Sequence, residues 1–153
     1  MVDKKLIKIL ENISIILEIK GENPFKARAY SNAAQKIKNE NIDIHEAVRN
    51  NNLARIKGFG EALQKKITDY VQNGKMSYYE KLIEEIPESL IELTKIPNIG
   101  PKRAKLLYEQ LNISNIDELE KACLDGRLTQ VKRFTANVQD EILKSIQIIK
   151  ASR

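Results

Sequence analysis

The 153-residue sequence has no tryptophan, one cysteine, one histidine, four prolines and six glycines. A single cysteine, Cys123, excludes an internal disulfide and a cysteine-based metal site. No histidine lies near it in sequence, so it reads as a buried structural thiol. The single histidine, His45, excludes zinc chemistry and ordinary Ser-His or Cys-His catalysis except through that one residue. It reads as a surface position in a helix opening after Asp43. Long apolar runs are missing as well. The amino-terminal MVDKKLIKILENISIILEIK is interrupted by Lys8, Glu11 and Glu18. It is therefore neither a signal-peptide core nor a membrane span. No membrane partner is expected, and an intracellular setting, cytoplasmic or nucleoid-associated, is.

What remains is 42% hydrophobic, mostly Ile and Leu, with 5% aromatics and no β-type alternation. Such a chain can bury a core rather than stay disordered, and the mixture favours an all-α fold. Lys and Arg outnumber Asp and Glu by 26 to 21, for a net charge of +5. That excess permits a nucleic-acid partner without demanding one, so the placement of the charges has to decide.

Leu6, Ile9, Leu10, Ile13, Ile16 and Leu17 follow helical spacing, and Gly21 suits the end of that helix. Asn23-Pro24 restarts the chain as N-cap and first turn of FKARAYSNAAQKI. Asp43 caps a short helix over IHEAVRN, and Asn50 to Asn52 form a turn. ALQKKITDYVQ is helical and stops at Asn73-Gly74. Ser77 to Glu80 has capping-box spacing and opens a helix ending before Pro87. Leu90–Thr94 is a short helical piece, Pro101 starts PKRAKLLYEQL, and Asp117 opens DELEKAC. A last helix runs from about Ala136 to Lys150. The weak boundary is near Ile86-Pro87-Glu88, giving two small helical subdomains, 1–84 and 88–153.

Three segments superpose by sequence: IKGFGEALQKKITDYV at 56–71, IPNIGPKRAKLLYEQL at 96–111 and VKRFTANVQDEILKSI at 131–146. Each has a branched aliphatic, then an apolar residue three positions on (Phe59, Ile99, Phe134), then a helix. Gly58 and Gly60 flank the apolar residue in the first copy; Asn98 and Gly100 do so in the second. The third has Arg133 and Thr135 instead, and reads as structural. Glycine permits positive φ and asparagine is the next most tolerant. After such a turn, the backbone N–H groups of the next helix point outward, where a phosphate can sit on the helix dipole. Lys102 and Arg103 add charge that attracts a polyanion.

This is the helix-hairpin-helix pattern. With GENPFKARAYSNAAQKI at 21–37 and NGK at 73–75, the segments occur in the order found in family X DNA polymerases. Nearly the whole chain resembles the amino-terminal lyase domain and DNA-binding subdomain of that family. No paired Asp-x-Asp is present, so polymerase activity by itself is not expected. The resemblance implies binding of gapped, nicked or 5′-phosphorylated DNA without sequence specificity, in DNA repair and base excision repair. The protein is expected as a monomer, with a polymerase or other repair enzyme as a separately encoded partner. It further implies a lyase nucleophile at Lys66, a Schiff-base lysine removing 5′-deoxyribose phosphate, and phosphate-pocket contacts from Lys26 and Tyr30. Other basic positions of the family fall on Ala62 and Ala54, and an acidic one on Lys65. These departures bear on lyase activity more than on DNA binding. The relatives also hold a monovalent cation, Na+ or K+, through hairpin carbonyls; the equivalents are Ala54, Ile56 and Phe59, and Thr94, Ile96 and Ile99. The rival readings are a non-catalytic DNA-binding module, a deoxyribose-phosphate or abasic-site lyase, and a protein-interaction scaffold.

Overall fold

The computed structural model describes residues 1–153 and is helical throughout, with no strand. Helix α1 (Lys4–Lys20) buries Leu6, Ile9, Leu10, Ile13, Ile16 and Leu17, the stripe that a 3.6-residue period lays along one face. Helix α2 (Pro24–Asn39) starts where the Asn23 side chain accepts the Phe25 N–H at 2.9 Å. Pro24 occupies a first-turn position whose missing N–H costs nothing. Asp43 caps α3 (Ile44–Arg49) by accepting from the Glu46 N–H. A 3-10 turn (Leu53–Arg55), α4 (Glu61–Asn73) and α5 (Ser77–Glu85) follow. Gly74, at φ +79°, closes α4 with a left-handed cap. Helices α6 (Glu88–Leu93), α7 (Pro101–Leu111) and α8 (Ile116–Asp125) come next. A second 3-10 turn (Arg127–Gln130) and α9 (Ala136–Ala151) complete the chain.

The chain divides into two compact units, residues 1–18 with 22–85, and residues 19–21 with 86–153. In the first, α4 packs against α3, α5 and the 3-10 turn. Leu6, Leu10, Ile13, Ile37, Ile44 and Ile67 are fully buried there. In the second, α8 packs against α9, α6 and the second 3-10 turn, and α7 packs against α6. Its fully buried residues include Leu90, Ile91, Leu107, Leu119, Leu128, Ile142 and Ile146. Each such side chain contributes about 1.5–3 kcal/mol of transfer free energy.

Two helix starts differ from the sequence expectation. Helix α5 begins at Ser77 itself, so Ser77 is not a cap preceding it; its amide donates to Asp69 Oδ2 of α4 at 2.9 Å. A partner eight residues upstream leaves no mark in local spacing. Helix α8 is capped by Asn115, which accepts the Glu118 N–H at 2.8 Å, so Asp117 lies inside the first turn. Cys123 is buried, and burial first, then Glu120, Asp125 and Asp140, push its thiol up to about 11. His45 is half-exposed but engaged, with Nε2 2.7 Å from Asp3 Oδ2.

Candidate functional site

All three repeats make the same turn. The N–H of Phe59, Ile99 or Phe134 donates to the carbonyl of Ile56, Ile96 or Val131 respectively, at 3.0–3.2 Å. The residue between is left-handed each time: Gly58 at φ +92°, Asn98 at +75° and Arg133 at +82°. Phe59, Ile99 and Phe134 are buried and anchor the turns in the cores. Loss of glycine in the third copy has not changed its backbone.

The copies diverge one residue later, at the helix caps. Gly60 (φ −68°, ψ 171°), Gly100 (φ −99°, ψ −174°) and Thr135 (φ −80°, ψ 167°) all have extended backbones open to any residue. A Cβ at Gly60 or Gly100 would meet nothing within 4 Å. Neither the backbone nor the packing therefore requires glycine at these two caps. Thr135 Oγ1 accepts the Val138 N–H at 3.2 Å, satisfying one first-turn amide of α9 internally. Glycine caps have no side chain to do this, so no cap side chain accepts a first-turn amide of α4 or α7.

The charges near these caps are unevenly committed. Lys102 is exposed in the first turn of α7. Arg103 is not free: Nη1 donates to the Asn98 carbonyl at 2.7 Å and Nη2 to the Arg133 carbonyl at 3.1 Å. Its guanidinium also lies 5.6 Å from the Phe134 ring centroid. Asn98 Nδ2 donates to Glu141 Oε2 at 2.8 Å. In the first hairpin, Glu61 opens α4 and Lys65 reaches back to it at 3.7 Å.

A second group of candidate residues converges within the first unit. The Lys66 ammonium of α4 stands 4.4 Å from the Tyr78 ring centroid and 5.8 Å from that of Tyr30. The two rings are nearly parallel, 11° apart with centroids at 6.1 Å. Burial pushes both phenols up, and for Tyr78 the neighbouring Tyr30 adds to it. Attraction to Tyr78 raises Lys26 against the opposing effect of burial, and Glu22 at 3.4 Å adds to the rise. Lys26, Tyr30 and Lys66 thus share one cluster, built from α2, α4 and α5. Tyr78 is the member that sequence reasoning missed. Its signal was the consecutive pair Tyr78-Tyr79 in a chain with only five tyrosines. Ala54 and Ala62 are exposed and bring no charge.

The carbonyls named for a monovalent cation differ between hairpins. In the first, Gln64 Nε2 donates to the Phe59 carbonyl at 2.6 Å, placing an amide donor where a cation would coordinate. In the second, Ala104 stands at the position of Gln64 and has no donor, so the Ile99 carbonyl fits a cation better. No group of three or more His, Cys, Asp or Glu side chains comes together to hold a metal. No helix is long and apolar enough to cross a membrane.

The helix-hairpin-helix domain family matches residues 1–76, and the SAM-like helix-hairpin-helix tandem matches residues 90–147. Two helix-hairpin-helix families match separate stretches of the chain. Helix-hairpin-helix sequence thus runs through both units, and the turns at 56–60, 96–100 and 131–135 are its hairpins. The chain is 30% identical over 143 residues, 94% of its length, to DNA polymerase/3′-5′ exonuclease PolX of Bacillus subtilis (strain 168). It spans a quarter of that protein's length. The likeness to the amino-terminal region of family X DNA polymerases is borne out.

Proposed function

We propose that this protein binds discontinuous DNA in repair, holding backbone phosphates on the first-turn amides of α4 and α7. The observation that carries the reading is the pair of glycine caps. Gly60 and Gly100 leave open space and uncapped amides that the fold does not need, whereas Thr135 closes the third hairpin. Glycine at such a point lets a ligand approach the backbone closely. Gly58 and Asn98 shape the turns, and Lys102 adds charge. No helix face carries a base-reading set of Arg, Asn and Gln, so contact is with phosphates and sequence-independent. The residues 1–84 act as the lyase-like domain and 88–153 as the DNA-binding subdomain. Polymerisation belongs to another segment or a partner enzyme. Titration of a duplex with a 5′-phosphorylated gap at two salt concentrations tests this. Affinity that falls steeply with salt supports it. No binding at low salt would overturn it in favour of a protein-interaction scaffold.

The second reading is a lyase, favoured by the convergence of Lys26, Tyr30 and Tyr78 around Lys66. The Lys66 amine would attack the C1′ aldehyde of an abasic 5′-deoxyribose phosphate, losing water to form a Schiff base. β-Elimination then breaks the C3′–O bond, and hydrolysis frees the lysine. Borohydride would reduce that imine and trap a protein–DNA adduct lost in Lys66→Ala. An intact protein that traps nothing on an abasic substrate would rule the lyase out. For the cation, the second hairpin is the better host, with Thr94, Ile96 and Ile99 supplying the carbonyls.

A further inference from the structure

We infer that Arg103 is a positioning residue for the second hairpin rather than a phosphate contact, and that the third hairpin is the splint it fastens to. The inference rests on the DNA-binding reading above. The guanidinium fork spans two turns, with one nitrogen on the Asn98 carbonyl at 2.7 Å and another on the Arg133 carbonyl at 3.1 Å. Both carbonyls belong to the left-handed residues of their turns, at φ +75° and +82°. A second tie runs parallel to the first, from Asn98 Nδ2 to Glu141 Oε2 at 2.8 Å. The Phe134 anchor completes the seat, its ring 5.6 Å from the guanidinium.

Each half of this arrangement explains the other. The second turn uses asparagine where glycine would be cheapest, and that asparagine accepts from Arg103 of its own hairpin while its side chain donates to Glu141 of the third. The third hairpin has satisfied its own cap through Thr135 and so has no amide to offer at Val138. It has nonetheless kept the left-handed turn, which presents the Arg133 carbonyl to Arg103. In the first hairpin the equivalents of Asn98 and Arg103 are Gly58 and Leu63, which cannot form such ties. The clamp therefore belongs to the second and third hairpins alone. A fixed turn keeps Gly100 and the α7 amides in place before DNA arrives, reducing the ordering cost of binding.

Charge and position are separable by substitution. Arg103→Lys keeps the charge but loses the planar fork, while Arg103→Gln loses both. The clamp predicts that both variants lose about tenfold in affinity for the gapped duplex, with the slope of log affinity against log salt unchanged. Backbone amide exchange at residues 98–100 and 133–135 should quicken in both, while α8 stays as protected as before. If Arg103→Gln lowers the slope by about one phosphate and Arg103→Lys restores affinity, Arg103 is a phosphate contact and the inference fails. Unchanged affinity in both variants, or unchanged exchange at the two turns, would overturn it equally. Failure of the wild-type protein to bind DNA would instead sink the functional reading, and the exchange measurement would still test the clamp.

Discussion

Gly58 and Arg133 hold the same left-handed backbone at equivalent points of two hairpin turns, φ +92° and +82°. For arginine this conformation costs about 1–2 kcal/mol relative to glycine, partly offset because glycine adds freedom to the unfolded chain. Arg133→Gly should therefore stabilise the protein by about 0.5–1 kcal/mol, read as a higher urea midpoint with an unchanged m-value. The mirror substitution, Gly58→Ala, should cost about 0.5–1 kcal/mol through φ less the same offset, since its Cβ has open space. Effects of the same sign at both positions would contradict the assignment.

The cap glycines separate stability from binding. Gly60→Ser or Gly100→Ser supplies the side-chain acceptor that Thr135 gives α9. Each should leave stability unchanged or raise it by a few tenths of a kcal/mol. The same hydroxyl would occupy the amide that a phosphate needs, so affinity for gapped duplex should fall by about tenfold. Variants that bind as tightly as the parent would remove these caps from the interface.

The tyrosine-lined cluster should read the end of a gap. Lys26→Ala and Lys66→Ala should each shrink the preference for a 5′-phosphate over a 5′-hydroxyl, and lower the salt slope by about one. Lys65→Ala is the control, because Lys65 is exposed and turned toward Glu61. Equal losses from Lys65 and Lys66 would point to bulk charge rather than a pocket.

Tyr70 sets an alkaline limit. Its hydroxyl donates to Asp3 Oδ1 at 3.0 Å, and burial together with that carboxylate pushes it up to about 12, from 10.0. The unfolded chain ionises this phenol first, so the contribution to stability is complete below pH 10 and lost as pH rises toward 12. Tyr70→Phe should lose about 1 kcal/mol at neutral pH. It should also show a shallower decline in urea midpoint between pH 10 and 12. An identical alkaline slope in the variant would refute the assignment.

Much of the fold was legible because its signals are local. The stripe from Leu6 to Leu17, the Asn23-Pro24 start and the Asn73-Gly74 stop each depend on side chains within a few residues, and all stand in the structure. Two of the misses have the opposite property. The Ser77 amide is held by Asp69 from another helix. Tyr78 gains its place only because α5 lays it against Tyr30 and Lys66. The third miss is local: α8 takes its cap from Asn115, three residues from Glu118, in competition with nearby Asp117, a capping residue of similar quality.

The sequence by itself determined the helices, the threefold repeat and the positions of the two glycine caps, because periodicity and backbone freedom are written residue by residue. Tertiary structure decided what the charged residues are for. Lys66 and Arg103 look alike in the sequence, each a cation in a helix behind a hairpin. Folding lays one against two tyrosine rings and ties the other to the carbonyls of two turns. A long cationic side chain takes its role from the partners that folding brings within its reach, and for each of these two one partner, Tyr30 or Arg133, lies 30 or more positions away.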